Sequence, residues 1–474
     1  MVFSSEFFLF AFLPFVLICY ALATLPRLKN VVLVVASLVF YGWGEPRFVP
    51  LILGSALANY GFGLGLAAAK LESRRRTIVA LAVGFDLALL LIFKYSGFLA
   101  DNLTFLLGNR IGGPVWLSQI YLPLGISFFT FHAISYIVDV YRGTSQARRD
   151  PLEVVLYFVF FPQLIAGPII RFKDIAAQLA RRHVAPDDVA YGIRRFVVGL
   201  GKKVLIANTL GASVDRVFSV WPDHLTPIVA WFAIVAYALQ IYYDFSGYSD
   251  MAIGLARMFG FRFLENFDFP YISGSVQEFW RRWHISLSRW FRDYLYIPLG
   301  GNRVAPWRVY VNLATVFFLC GLWHGAKWTF VVWGLIHGAF LVLERLGVMR
   351  PFTKTPVVRH VYTMGVVLLA WVFFRSDSFP RAWSYLIALV HPAPHDAMSL
   401  ATAADLETWI AFMLGCIFAH PYVARSVEAA LASGTARAAL AGATAVPAAL
   451  AAIFVASVVK LAAGSYNPFI YFRF

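Results

Sequence analysis

Two histidines stand apart from the rest by their surroundings. His324 lies in Cys320-Gly321-Leu322-Trp323-His324-Gly325-Ala326-Lys327-Trp328, inside an apolar run. The flanking glycines let backbone and ligand approach closely, and Trp323 and Trp328 supply rigid apolar walls. A neutral imidazole held in such a place titrates near working pH and takes a proton from a hydroxyl. His284 lies in Arg281-Arg282-Trp283-His284-Ile285-Ser286-Leu287-Ser288-Arg289-Trp290. Read as one helix, Arg281, His284 and Ser288 share a face, with Trp283 and Trp290 on the next. Two readings stay open for this block. It is an amphipathic helix on a membrane surface, or an opening for an anionic donor lined by Arg281, Arg282 and Arg289.

The other eight histidines of the 10 read as structural. His132 and His337 sit inside apolar helices and are expected to be satisfied interior groups. His183, His224, His360, His391, His395 and His420 fall in loops or at span ends, where solvated histidines are common. Other chemistries find no footing. There is no HExxH and no cluster of His with carboxylates at helical spacing, so no metal is expected. Neither a Walker A loop nor a GxSxG elbow occurs. Cys19, Cys320 and Cys416 lie in apolar runs without CxxC spacing.

The elements that must position these residues are set by composition. Of 474 residues, 60% are hydrophobic, 17% aromatic and only 14% charged. A soluble domain is about one-quarter charged, so a water-soluble enzyme and a disordered chain are both excluded. The length has room for about ten to thirteen helical crossings. Forty Lys+Arg against 25 Asp+Glu give a formal charge of +15. The basic residues fall between apolar runs, so membrane orientation and anionic lipid explain them and nucleic acid does not.

Spans are expected at 7–25, 31–44, 48–69 and 77–93, the last carrying Asp86, for which a structural partner on a neighbouring helix is expected. The opening residues read as a retained first helix and not as a cleaved signal. Charges of +2 in the first loop and +3 in the third place those loops inside and the N-terminus outside. Residues 94–114 read as a short outer segment, and 115–140 as an apolar run broken by Pro123 and Gly125. The stretch 154–170 contains Phe161-Pro162-Gln163 and Gly167-Pro168 and is basic on both sides, so it reads as re-entrant. Residues 227–243 form another span. Residues 261–308 are too polar to cross and read as interfacial. Spans resume at 309–326, 328–343, 360–374, 406–420 and 438–459, with 376–405 outside the membrane. No repeat or soluble linker occurs, and residues 1–474 read as a single membrane domain.

Several blocks together carry a resemblance. Trp283 through Asn302 resembles the signature block of the membrane-bound O-acyltransferases, and Gly321-Leu322-Trp323-His324-Gly325-Ala326 resembles their catalytic-histidine segment. Phe161-Pro162-Gln163 through Pro168, Tyr243-Asp244-Phe245-Ser246-Gly247-Tyr248-Ser249-Asp250 and the closing 468–474 are similar to the bacterial alginate O-acetylation branch. The resemblance covers essentially the whole chain. It implies an all-α fold of about 11 tilted membrane helices in a ring, with re-entrant and interfacial helices around a thinned centre and tunnel. His324 matches the family's central histidine. His284 matches a second position filled by Asn, Asp or His in different branches.

The implied chemistry is transfer of an acetyl group from a cytoplasmic thioester, with acetyl-CoA as donor and no bound cofactor. His324 is expected to act as base, and His284 to orient the donor or stabilise an oxyanion. Arg281, Arg282 and Arg289 are candidates for the donor phosphates; Trp283, Ser288, Gln163, Tyr243, Asp244 and Trp323 are candidates for the donor site or tunnel. The resemblance implies a periplasmic SGNH-type acetyltransferase as partner and an exported polysaccharide as final acceptor. Alginate comes first, with cellulose, peptidoglycan or another glycan as alternatives. A lipid or protein acceptor is a further alternative. A proton-coupled transporter is the competing class, disfavoured because no repeated halves occur. The tail Phe469-Ile470-Tyr471-Phe472-Arg473-Phe474 is similar to that of a small accessory protein of teichoic-acid D-alanylation. Tyr471 is expected either to anchor the tail at the interface or to carry the acyl group.

Overall fold

The computed structural model describes residues 1–107, 120–392, 394, 396–433, 435–464 and 466–467. Among them the chain is all helical, without strands. Among the described residues, seven helices are long and apolar enough to cross a membrane, or eight if the bent pair Leu406–Phe418 and Tyr422–Leu431 is one span. The expected count of about 11 also includes shorter apolar helices. Phe8–Leu22, for example, occupies the first expected span, yet its 15 residues extend only about 22 Å against a hydrocarbon core of about 30 Å. The segment expected to lie outside at 94–114 is helical through Leu106, continuous with Glu72–Leu106. The apolar stretch around it outweighs the isolated charges of Lys94 and Asp101. The chain forms a multi-pass membrane protein of two compact units, residues 1–193 with 252–264, and 194–251 with 265–474.

The first unit is organised around the interrupted segment near residue 161. Pro151–Val159 ends, Phe161–Leu164 makes one turn, and Phe172–Ala180 resumes. A break between apolar helices frees backbone groups that protein must satisfy. Ser37 Oγ accepts the Phe161 N–H at 3.0 Å, and the Tyr157 hydroxyl donates to the Ile170 carbonyl at 2.8 Å. Gly125 starts the Ile126–Tyr141 helix at φ +76°, and a Cβ there would sit 2.6 Å from the Leu164 carbonyl. Glycine is therefore required twice over, by conformation and by proximity. Phe3, Phe8, Phe12 and Phe40 surround Phe161, with ring centroids 5.4–6.3 Å from it. Asp86 has the structural partner expected of it: Asn59 Nδ2 donates to its carboxylate at 2.8 Å.

In the second unit, Pro306–His324 and Trp328–Arg345 form a tight helical hairpin. A Cβ on Gly321 would sit 2.4 Å from the Phe330 carbonyl, and one on Gly334 2.2 Å from that of Phe317. The glycine before His324 therefore serves close helix packing, the close backbone approach expected of it. Buried charge is paired. Lys203 Nζ lies 2.5 Å from Asp244, and Asp250 lies 2.7 Å from both Arg195 and Lys202.

Candidate active site

The signature block is not one helix. Val276–Arg282 ends at Trp283, and Ile285–Phe291 starts after His284. His284 itself has left-handed backbone, φ +42°. The expected shared face of Arg281, His284 and Ser288 is therefore lost. The chain turns because Asn266 captures what a continuous helix would have used: its carbonyl accepts the Ile285 N–H at 2.9 Å, and its Oδ1 accepts the Ser286 N–H at 3.2 Å. The preceding helix is fixed at its start. Ser275 Oγ accepts the Glu278 N–H, and the Glu344 carboxylate accepts the N–H groups of Val276 and Gln277. Burial pushes the Glu278 carboxyl up, but the Gly274 N–H and Arg282 outweigh it and leave it below its ordinary value.

This turn brings His284 to His324. Their ring centroids are 6.4 Å apart. His324 is the last residue of its helix and is only 5% exposed. Trp323, Trp333 and Phe374 lie 4.9, 5.0 and 5.4 Å from its ring. His284 is fully buried, with Phe245 4.6 Å and Trp323 6.1 Å away. Its Nδ1 lies 3.2 Å from Asn266 Oδ1. Two imidazoles in a buried aromatic enclosure make a centre able to move protons, since burial strengthens electrostatic interactions.

The remaining candidates divide. Trp283 is buried against Phe279, Phe267 and Trp371, at 5.5, 5.1 and 5.2 Å. Arg282 is taken up by Glu278 at 3.0 Å and Asp268 at 2.8 Å. Arg281 is exposed and Arg289 half-buried. Ser288 donates to the Trp280 carbonyl at 3.2 Å. Tyr243 donates to the Gly415 carbonyl at 2.7 Å, and Asp244 is held by Lys203. Gln163 belongs to the first unit, where its Nε2 donates to the Tyr157 carbonyl. Tyr471 and His395 lie outside the described residues.

His337 was expected to be hydrogen-bonded, and so was His132. Neither ring nitrogen of either has a hydrogen-bond partner among the described residues. Aromatic packing replaces hydrogen bonding there: Phe279, Trp280 and Trp333 lie 5.2–5.9 Å from the His337 ring. Asn266, Trp333 and Glu344 carry no signal in the sequence, and Phe245 stands there only within a motif block. Each reaches the site through a chain reversal or a neighbouring helix, which no short-range spacing encodes. Among the described residues no group of His, Cys, Asp and Glu could hold a metal.

The membrane-bound O-acyltransferase family matches residues 124–377, a stretch that contains both histidines. The probable alginate O-acetylase of Azotobacter vinelandii is 40% identical over 503 residues, covering 100% of both chains. The peptidoglycan O-acetyltransferase of Helicobacter pylori is 35% identical over 430 residues, 82% of this chain and 80% of that one. The teichoic acid D-alanyltransferase of Bacillus subtilis is 30% identical over 234 residues, 46% of this chain and 58% of that one. With two buried histidines held together in a helical membrane protein, and similarity over its full length, the chain belongs to the membrane-bound O-acyltransferase family and is an O-acyltransferase.

Proposed function

We propose that the protein transfers an acetyl group from acetyl-CoA, on the cytoplasmic side, toward an exported polysaccharide, with alginate as the first candidate. The observation that carries the reading is the 6.4 Å approach of His284 and His324, two motif histidines, in one buried site. The names of the relatives over most of the chain support an O-acetylated glycan as the final acceptor.

An alcohol is a poor nucleophile at neutral pH. His324 takes the hydroxyl proton as the oxygen attacks the thioester carbonyl. The C–S bond breaks, a C–O ester bond forms, and the proton leaves with the thiolate. Arg281 and Arg289 meet the donor phosphates. The protein sits in the bacterial inner membrane with its N-terminus in the periplasm, as the loop charges support. A periplasmic SGNH-type acetyltransferase receives the acetyl group. Tyr471 is the proposed carrier between the two enzymes, since a phenol (pKa about 10) loses its proton more readily than a sugar hydroxyl.

The test is the acetyl content of the exported polymer, by mass spectrometry, in a deletion strain. Acetylation is lost, returns with the wild-type gene, and does not return with His324→Ala present at normal membrane abundance. An unchanged polymer in the deletion strain overturns the reading. Tyr471→Phe removes only the oxygen, so full acetylation in that variant would reduce Tyr471 to an anchor.

A further inference from the structure

We infer that Asn266 is a positioning residue that locks His284 in the Nδ1–H form, leaving Nε2 as a proton acceptor in the resting site. The orientation of the Asn266 amide is fixed by its neighbours. Oδ1 accepts the Ser286 N–H at 3.2 Å and the Ser286 hydroxyl at 2.8 Å. Nδ2 donates to Ser249 Oγ at 3.0 Å. A backbone N–H only donates, so reversing the amide would set two donors against each other. The atom 3.2 Å from His284 Nδ1 is therefore an acceptor; the Ser286 hydroxyl also lies 3.5 Å from Nδ1, but its hydrogen goes to Oδ1 at the shorter 2.8 Å, so Nδ1 carries the hydrogen. In a neutral imidazole the other nitrogen then holds a lone pair.

That nitrogen, Nε2, is buried and has no hydrogen-bond partner among the described residues. An unpaired buried acceptor costs free energy unless something fills it. The chemistry that fills it is an O–H or N–H donor, such as an acceptor hydroxyl or a protonated imidazole. His284 accordingly receives a proton or a hydrogen bond. The oxyanion-donor role expected from the resemblance needs an N–H at Nε2, and the neutral ring has none. Asn266 and His284 together repeat the logic of a base held by an orienting acceptor, here with an uncharged amide. The kinetic part of this inference rests on the acyl-transfer reading; the tautomer does not.

Three measurements test it. Solid-state ¹⁵N NMR of the full-length protein in lipid, labelled at histidine, with the His284 signal assigned by its loss in His284→Asn, should show a protonated Nδ1 and a bare Nε2. An Nε2–H signal overturns the inference without reference to activity. Asn266→Ala, at normal abundance, should lower kcat by up to about 10⁴-fold, the scale of a wrong-tautomer histidine, with KM for acetyl-CoA unchanged. Wild-type kcat in that variant overturns it.

Asn266→Asp keeps the accepting oxygen and covers the case in which the alanine variant fails to fold. It should restore turnover and move the acid limb of the pH profile upward, because a carboxylate favours the imidazolium. An unmoved limb overturns the inference. A correct tautomer in a protein that transfers no acetyl group would instead sink the proposed function alone.

Discussion

His132 and His284 are both 0% exposed, and both lie against aromatic rings. Their wiring differs. Neither nitrogen of His132 meets a hydrogen-bond partner among the described residues, whereas His284 has Nδ1 pinned by Asn266 and only Nε2 open. His132 lies in the continuous Ile126–Tyr141 helix, and His284 at a turn between two short ones. Burial and aromatic company thus do not distinguish the two. What distinguishes them is a fixed tautomer and a second imidazole 6.4 Å away.

The sharpest way to break this contrast is at the second imidazole. His324→Ala should reduce acetyl transfer by about 10²–10⁴-fold, the usual worth of a general base, with the protein still in the membrane. Turnover near wild type would end the assignment. His284→Asn should come next, with a loss of at least about tenfold in kcat, because the amide fills the turn but has no titrating nitrogen. Equal activity for this variant and wild type would place His284 with His132.

Charge removal sharpens the comparison at the edge of the site. Replacing Arg281 and Arg289 together by Gln should raise KM for acetyl-CoA several-fold with little change in kcat, since the loss is one of binding common to ground and transition states. An unchanged KM would assign both to lipid headgroups. The smallest effect is expected at His132. His132→Phe removes two unpaired buried nitrogens and should leave transfer unchanged, with thermal stability in detergent equal or higher by up to about 1 kcal/mol. A loss of transfer at normal abundance would erase the distinction between the two histidines.

Much of this was legible in the sequence, for reasons that particular residues make plain. The apolar runs marked most helices because hydropathy alone decides what enters lipid. Pro162 and Gly167 announced the broken segment, and Asp86 needed a partner and has one in Asn59. The two histidine motifs were visible because they are local. The geometry joining them was not. A helical wheel carried Arg281, His284 and Ser288 onto one face, since nothing between residues 276 and 291 says that Asn266 will intercept Ile285 and Ser286. Which backbone approaches Gly321 was hidden for a similar reason: the Phe330 carbonyl that crowds it belongs to the next helix.

The left-handed backbone at His284 reaches beyond catalysis, into which sequences selection can sample there. Such a conformation costs most residues about 1–2 kcal/mol, while Asn, Asp and His adopt it several-fold more often than other side-chain-bearing residues. These are the same three residue types that the resemblance implies for this position. The alphabet available at 284 is thus set first by the backbone, before any chemistry acts on it. A saturation library at this codon, sorted only for abundance in the membrane, should already be enriched in Asn, Asp, His and Gly; a flat distribution would mean that catalysis alone restricts the position.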